Sequence, residues 1–548
     1  MSVVTTPCLR KNRNIPMDNN RTIITVVLVV LLFSAYTIFF APQQPVQQAE
    51  TETSAPVQTA DQQAPSAADT TATSPAHEML NIDAQEKTLL VHSDYYNIEL
   101  SSIGAVVRSI DLNKYKETNE PDSGNFVLFN GIASQLSTLQ TTGSDGLYIP
   151  SNLNYKLVDV SADSINVSND KQAVTFVSQT EALEITKTYV FYPASYEFDI
   201  NVSVRNISPQ SIQGSLNLSL NTPWDEDEKG STYTFVGPQS YDGNDLLEDK
   251  VSDLKKSPKI YTDNIVWSGY TSKYFISAIN PHDTSSQTYI RLADNHVENR
   301  ISTKQITLAS DKTASFNYAA YFGPKQFELL AYSGNDFEAT IHYGFFHPLA
   351  KPLMVVLKFF YSFIGNYGFS IILLTVCIKI IFWPLTQKSY KSMKGMQKLQ
   401  PEMKRLREKY GSDKQRLNQE MMSFYKEHKV NPLGGCLPML IQIPVFFALY
   451  RVLLGSIELR HAPFMLWITD LSAKDPYYIT PLIMGVTMFL QQKMTPTNMD
   501  PTQEKIMLMM PVVFTFMFLN FPSGLVVYWL VNNVLTILQQ YLIRRQPD

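Results

Sequence analysis

The stretch FSIILLTVCIKIIFWPLTQ, Phe369–Gln387, decides the fold class. It is apolar over nearly the length that a helix needs to cross a bilayer, about 20 residues. Lys379 interrupts it. An ammonium at the bilayer centre costs about 2.5–3.5 kcal/mol on insertion scales, and ionisable residues in spans usually face a bundle interior or a wet cavity. Lys379 also lies six residues before Leu385, within snorkelling distance of the end of the run. The lysine is thus either a charge held in a polar space or an anchor.

Further apolar segments follow at Leu437–Leu454, Tyr477–Gln491, Ile506–Phe521 and Leu525–Ile543. Two of them are short for a crossing, which implies a locally thinned bilayer. An earlier run, Ile23–Phe40, follows Arg10, Lys11, Arg13 and Arg21. It exceeds the apolar core of a cleaved signal peptide, about 7–15 residues, and has no small-x-small site, so it reads as an uncleaved anchor. Met17 reads as a better start than Met1. Six transmembrane helices result, with a tail over 1–22 and both termini on one side. Residues 386–430 carry 12 Lys+Arg against 5 Asp+Glu, whereas 81–340 carry 19 against 33. The basic loop is cytoplasmic by the positive-inside rule, which puts both termini there and the acidic region across the membrane.

Residues 41–80 are rich in Gln, Pro, Ala, Thr and Ser and read as a flexible tether. Over 81–340 the pattern alternates. FDINVSVRN puts Phe198, Ile200, Val202 and Val204 on one face, and SLNLSLN does the same with Leu216, Leu218 and Leu220. Short period-two runs between Gly, Pro, Asn and Asp predict a large antiparallel β-sandwich. Trp224–Gly230, WDEDEKG, reads as a solvated acidic loop. Residues 341–366 predict an amphipathic helix lying in the interface. Within 386–430 an apolar stripe from Tyr390 to Tyr410, a stop at Gly411 and a capping box in SDKQ, Ser412–Gln415, predict a cytoplasmic αα-hairpin. Its basic residues suit ribosomal RNA, targeting factors or anionic lipid headgroups.

Chemistry is excluded more easily than binding. The cysteines, Cys8, Cys377 and Cys436, all lie outside 81–340, so that domain has no disulfide. Zinc-type spacings, a phosphate loop and a catalytic constellation are missing from the sequence. The expectation is a protein that is not an enzyme, with no catalytic residue, metal or cofactor. What remains is a set of polar groups inside the spans: Thr375, Gln442, Thr487, Gln491, Asn532, Asn533 and Gln539. No predicted span supplies an acidic partner for Lys379, which leaves the charge for an external acidic group. Sixteen of nineteen methionines follow residue 341, in keeping with adaptable apolar contact surfaces.

The segments NPLGGCLPMLIQIPVFFALY (Asn431–Tyr450), DPYYITPLIMGVTMFLQQKM (Asp475–Met494) and FPSGLVVYWLVNN (Phe521–Asn533) resemble the YidC-type membrane protein insertases. Anchor, β domain and lysine-bearing span resemble the Gram-negative form over nearly the whole chain. The resemblance implies a five-helix insertase core over 367–548 in the inner membrane and a periplasmic 81–340 domain. It also implies a cytoplasm-open hydrophilic groove whose positive residue is Lys379, often arginine in the family. Thr375 is placed one turn earlier. Pro438, Ile443 and Pro444 on the third span and the aromatic pair Tyr528 and Trp529 are implied to contact substrate. Nascent membrane proteins are the implied clients and the Sec translocon an implied partner. Two other readings fit the residues less well: a secondary transporter using Lys379, which lacks a visible repeat, and a tethered glycan-binding β domain, which lacks a convergent polar set.

Overall fold

The computed structural model describes residues 86–545 except 159, 161, 225–233, 263–264, 283–284, 412, 429–436 and 496–500. The tail, anchor and tether expected over 1–80 lie outside the described residues, as do most of the WDEDEKG loop and the side chain of Pro438.

The β domain is a sandwich around one apolar core. Its nine-stranded sheet runs Leu246–Glu248, Gly237–Tyr241, Trp267–Thr271, Phe275–Asn280, Thr313–Pro324, Glu197–Asn206, Leu183–Phe191, Gln172–Gln179 and Lys156–Val158. Alternation builds it as expected: Phe198, Ile200, Val202 and Val204 are fully buried, opposite Ala320, Tyr318, Phe316 and Ala314. A five-stranded and a six-stranded sheet complete the domain. Two features depart from the simple pattern. Thr88–Ser93 pairs in parallel with Ser164–Val167, the single parallel pairing among the described strands. In Ile212–Pro223 the polar residues Ser215, Asn217, Ser219 and Asn221 are buried along with the leucines. Layers cover both faces of this strand, so its polar groups need internal partners. Ser219 donates to Glu298 at 2.9 Å, and Asn217 accepts from Ser302 at 2.7 Å.

The chain leaves the domain through α1 (Phe327–Tyr332) and enters α2 (His347–Ile364) within the segment read as interfacial. Helices α3 (Tyr367–Lys398), α4 (Gln400–Tyr410), α5 (Lys414–Glu427), α6 (Leu437–Gly455), α7 (Ile479–Met494), α8 (Pro501–Phe518) and α9 (Ser523–Arg545) follow. Among the described residues, α3 and α9 are long and apolar enough to cross a membrane, and α6 and α8 hold shorter apolar stretches. The side chain of Asn366 caps α3 by accepting from the Phe369 N–H at 3.2 Å. Its amide donates to the Phe464 carbonyl at 2.9 Å. Gly368 leaves room for the Phe464 ring, which a Cβ would overlap.

The basic segment differs from expectation in three ways, one being that the helix expected from Tyr390 to Tyr410 is split at Leu399, with Pro401 in the first turn of α4. Helix α3 runs through Leu385 to Lys398 without a break, so the lysine-bearing segment and the start of the basic arm are one helix. Polarity changes at Gln387, but helical backbone does not, because Lys, Gln and Met are good helix formers. The cap of α5 is Asp413, whose carboxylate accepts from the Arg416 N–H at 3.0 Å. The capping-box reading expects Ser412; Asp caps as well as Ser, and the helix starts one residue later.

Two cations join the β domain to the helices. Lys358 of α2 pairs with Glu328 of α1 at 2.7 Å and with Glu458, just beyond α6, at 2.6 Å. Arg460 donates from Nη2 to the carbonyls of Lys116 and Glu117 at 2.5 and 3.1 Å. Its guanidinium lies over Phe126 and Phe275, 5.2 and 5.8 Å from the ring centres. Asn119 donates to the Thr469 carbonyl at 2.9 Å beside it.

Candidate functional site

Asn532, Thr536 and Gln540 recur every four residues on α9, so they form one polar stripe on an otherwise apolar helix. Helix α9 packs against α3 and α7, and the stripe meets both. Lys379 of α3 donates from Nζ to Thr536 Oγ1 at 2.8 Å. That hydroxyl donates in turn to the Asn532 carbonyl at 2.6 Å. On the other side, Asn533 donates to Thr487 of α7 over 3.4 Å, a weak bond. Closer to the hairpin, Gln540 donates to Tyr390 Oη of α3 at 2.7 Å and to Thr495, at the end of α7, at 3.1 Å. Gln442 of α6 donates to Tyr528 Oη at 2.6 Å.

The expected residues are only partly brought together. Lys379, Asn532 and Asn533 belong to one polar seam between α3, α7 and α9. Thr375 is buried, but its hydroxyl donates to the Ile371 carbonyl one turn back at 2.7 Å, so it serves its own helix. Tyr528 and Trp529 part company. Tyr528 is 1% exposed and faces Gln442. Trp529 packs edge-on against Phe446 at 4.8 Å and near Phe518 at 5.4 Å. On α6, Pro444 is exposed and Ile443 half-buried.

Thr536, Gln540, Thr495 and the Tyr390 hydroxyl are absent from the residues singled out by sequence. The i, i+4, i+8 spacing along α9 carries the signal for Thr536 and Gln540. Tyr390 reads only as part of an apolar stripe until its partner is known.

The seam's electrostatics are simple. Among the described residues no carboxylate pairs with Lys379; its partner is a neutral hydroxyl. The ammonium is half-buried and turned onto a buried threonine, not splayed into open water. A charge so held attracts an incoming carboxylate with about 4 kcal/mol at 4 Å and an effective dielectric near 20, before desolvation.

Comparison with known proteins follows the same division of the chain. A profile of the 60Kd inner membrane protein family matches residues 359–548, and one of the YidC periplasmic domain matches residues 88–356. Membrane protein insertase YidC of Geotalea uraniireducens (strain Rf4) is 44% identical over 537 residues, 96% of this chain and 99% of that protein. The protein of the same name from Geobacter sulfurreducens is 45% identical over 533 residues, 96% of this chain and 98% of its own. That from Citrifermentans bemidjiense is 46% identical over 467 residues, 84% of this chain and 86% of its own. With near-complete relatives at this identity, and with both its β domain and its helical region matched, the chain belongs to the YidC family of membrane protein insertases.

Proposed function

We propose that this chain is a non-enzymatic insertase of the inner membrane, with a periplasmic β domain, six spans counting the anchor, and both termini in the cytoplasm. The seam between α3, α7 and α9 is the groove that receives the polar flank of a nascent membrane protein. Lys379 draws acidic residues of that flank, and the client's apolar segment leaves for lipid past α6 and α8. No bond is made or broken. The 16 residues of α7 extend about 24 Å, less than the roughly 30 Å of a bilayer core, so the polar path to be crossed is shortened. The hairpin α4–α5, with its basic surface, is the docking arm for ribosomes or targeting factors, and the Sec translocon is a partner for larger clients.

The observation that carries this reading is the lysine with a hydroxyl for a partner. A resident carboxylate would compete with every client; Thr536 does not. The test is insertion of two clients that differ only in tail charge, with each variant at matched protein level. Lys379→Arg is expected to retain function, Lys379→Ala to fail most for the acidic tail, and Lys379→Glu to be worse for that client. A snorkelling anchor predicts equal, mild losses for both tails, and that outcome refutes the direct attraction.

A further inference from the structure

Two neighbouring glutamines on the hairpin side of the seam are buried without full partners. Gln539 is 1% and Gln540 3% exposed. The Gln540 Nε2 group serves Tyr390 and Thr495, which leaves its Oε1 with no partner among the described residues. The Nε2 of Gln539 is likewise unpartnered. Turning the Gln540 amide over lets the two hydroxyls donate to its oxygen and orphans its nitrogen instead, so one polar atom is spare in either orientation. Buried polar atoms are almost always paired, and two such exceptions side by side call for an explanation.

We propose that Gln540, supported by Gln539, is a second client-contacting station, whose spare Oε1 accepts backbone N–H groups of the extended polar flank. This rests on the groove reading above. Between them the two side chains leave one acceptor and one donor unused, the complement of what each peptide unit of an extended chain supplies. Such a contact ignores side-chain identity, as a site serving many sequences must. Lys379 reads charge; Gln540 reads backbone. The spacing is consistent with one client chain touching both. Gln540 lies one helical turn, about 6 Å, beyond Thr536, and an extended chain covers that with about two residues. Tyr390 and Thr495 are positioning residues, since they hold the Gln540 amide by bridging α3, α9 and the end of α7.

The experiment uses the full chain in liposomes and two clients. One has an ordinary polar flank; in the other, four consecutive flank residues are proline, which has no N–H to donate. Gln540→Leu is expected to slow insertion of the ordinary client about fivefold, the factor one neutral hydrogen bond is worth. It should leave insertion of the proline client unchanged relative to the parent protein. Gln540→Asn, which keeps the amide but withdraws it by one methylene, should show the same contrast in weaker form and guards against a folding defect in the leucine variant. Equal losses for both clients mean that Gln540 only ties helices together, and they overturn the proposal. Unchanged insertion of both clients overturns it as well. Lys379→Ala in the same assay separates the two readings. If its losses on a further pair of clients that differ only in tail charge do not depend on that charge, the charge-reading groove fails, whereas the amide contrast at Gln540 stands or falls by the proline client alone.

Discussion

Arg460→Ala should loosen the junction between the β domain and the helices, which the Lys358–Glu328 pair and the buried Ile457 still hold, while leaving both folded. The side chain makes two hydrogen bonds to backbone carbonyls and covers two aromatic rings, all across the junction. Hydrogen bonds from a charged donor are worth about 1.5–3 kcal/mol, and the lower end applies at this half-exposed site. Cation–π contacts at exposed sites add about 0.5–1 kcal/mol each. Arg460 therefore holds the junction by about 4 kcal/mol, and the neutral Asn119–Thr469 bond by about 1 kcal/mol. Losing the Arg460 contribution lowers the docked-to-undocked ratio by roughly a thousandfold with the Lys358–Glu328 pair kept, since about 1.4 kcal/mol is a factor of ten. Lys replaces the charge but not the fork, so Arg460→Lys should fall between. The assay is the distance distribution between spin labels at the exposed positions Ile132 and Leu466 in a cysteine-free background. The alanine variant should broaden it, and adding Asn119→Ala should broaden it further. A distribution as narrow in the double variant as in the parent protein would refute the assigned role of Arg460.

Deleting residues 84–280 removes Lys116, Phe126 and Phe275, the partners of Arg460, but keeps Glu328 for Lys358; client insertion should remain intact. Complete loss by a well-expressed, folded deletion would show that docking of the domain is needed for insertion. The domain's stability should also depend on pH through one half-buried and one buried group. Burial pushes the Glu197 carboxyl up from 4.5 to about 7, against the hydrogen bond from Asn335. The folded domain then keeps a proton that the unfolded chain has released, so stability falls as pH rises from about 4.5 to about 7. Burial pushes Lys187 down from 10.5 to about 7, with the Leu139 carbonyl as its acceptor. There the unfolded chain holds the extra proton, so stability rises from about pH 7 to about 10.5. In urea unfolding of the intact chain, Glu197→Gln should flatten the falling limb and Lys187→Met the rising one; limbs unaltered by these changes would contradict the assignment.

The β domain was legible wherever one face of a strand meets the core and the other meets solvent, as in Glu197–Asn206. It was not legible in Ile212–Pro223, where burial of both faces hides the alternation. The lysine at 379 was legible from its cost in an apolar run. Its partner was not, because the hydroxyl of Thr536 comes from a helix 157 residues away, and the polar spacing on α9 does not say which helix the stripe meets. Arg460 was illegible for the same reason in stronger form. Its loop has no periodicity, and its carbonyl partners lie 344 and 343 residues earlier. The end of α3 is not legible, because polarity changes at Gln387 while the helical backbone continues to Lys398.

Helix α3 carries Pro384 between Lys379 and the hairpin, and this has a mechanical consequence. Proline at this position leaves the Ile380 carbonyl without its intrahelical donor, and Thr386 draws its own hydroxyl onto the Phe382 carbonyl at 2.9 Å. The helix is thus most easily flexed there. Its first part is gripped by the buried Tyr367, Ile371, Leu374 and Ile378. The part beyond Pro384 is a lever of 14 residues, about 21 Å long, tied back near its base by the bond between Tyr390 and Gln540 and by the buried Ser389 and Met393. A swing of about 10° at the joint moves its tip by about 4 Å. The same swing leaves the lysine where it was. A load on the arm would therefore be taken up first at the proline and the Tyr390–Gln540 bond, before it reaches the lysine.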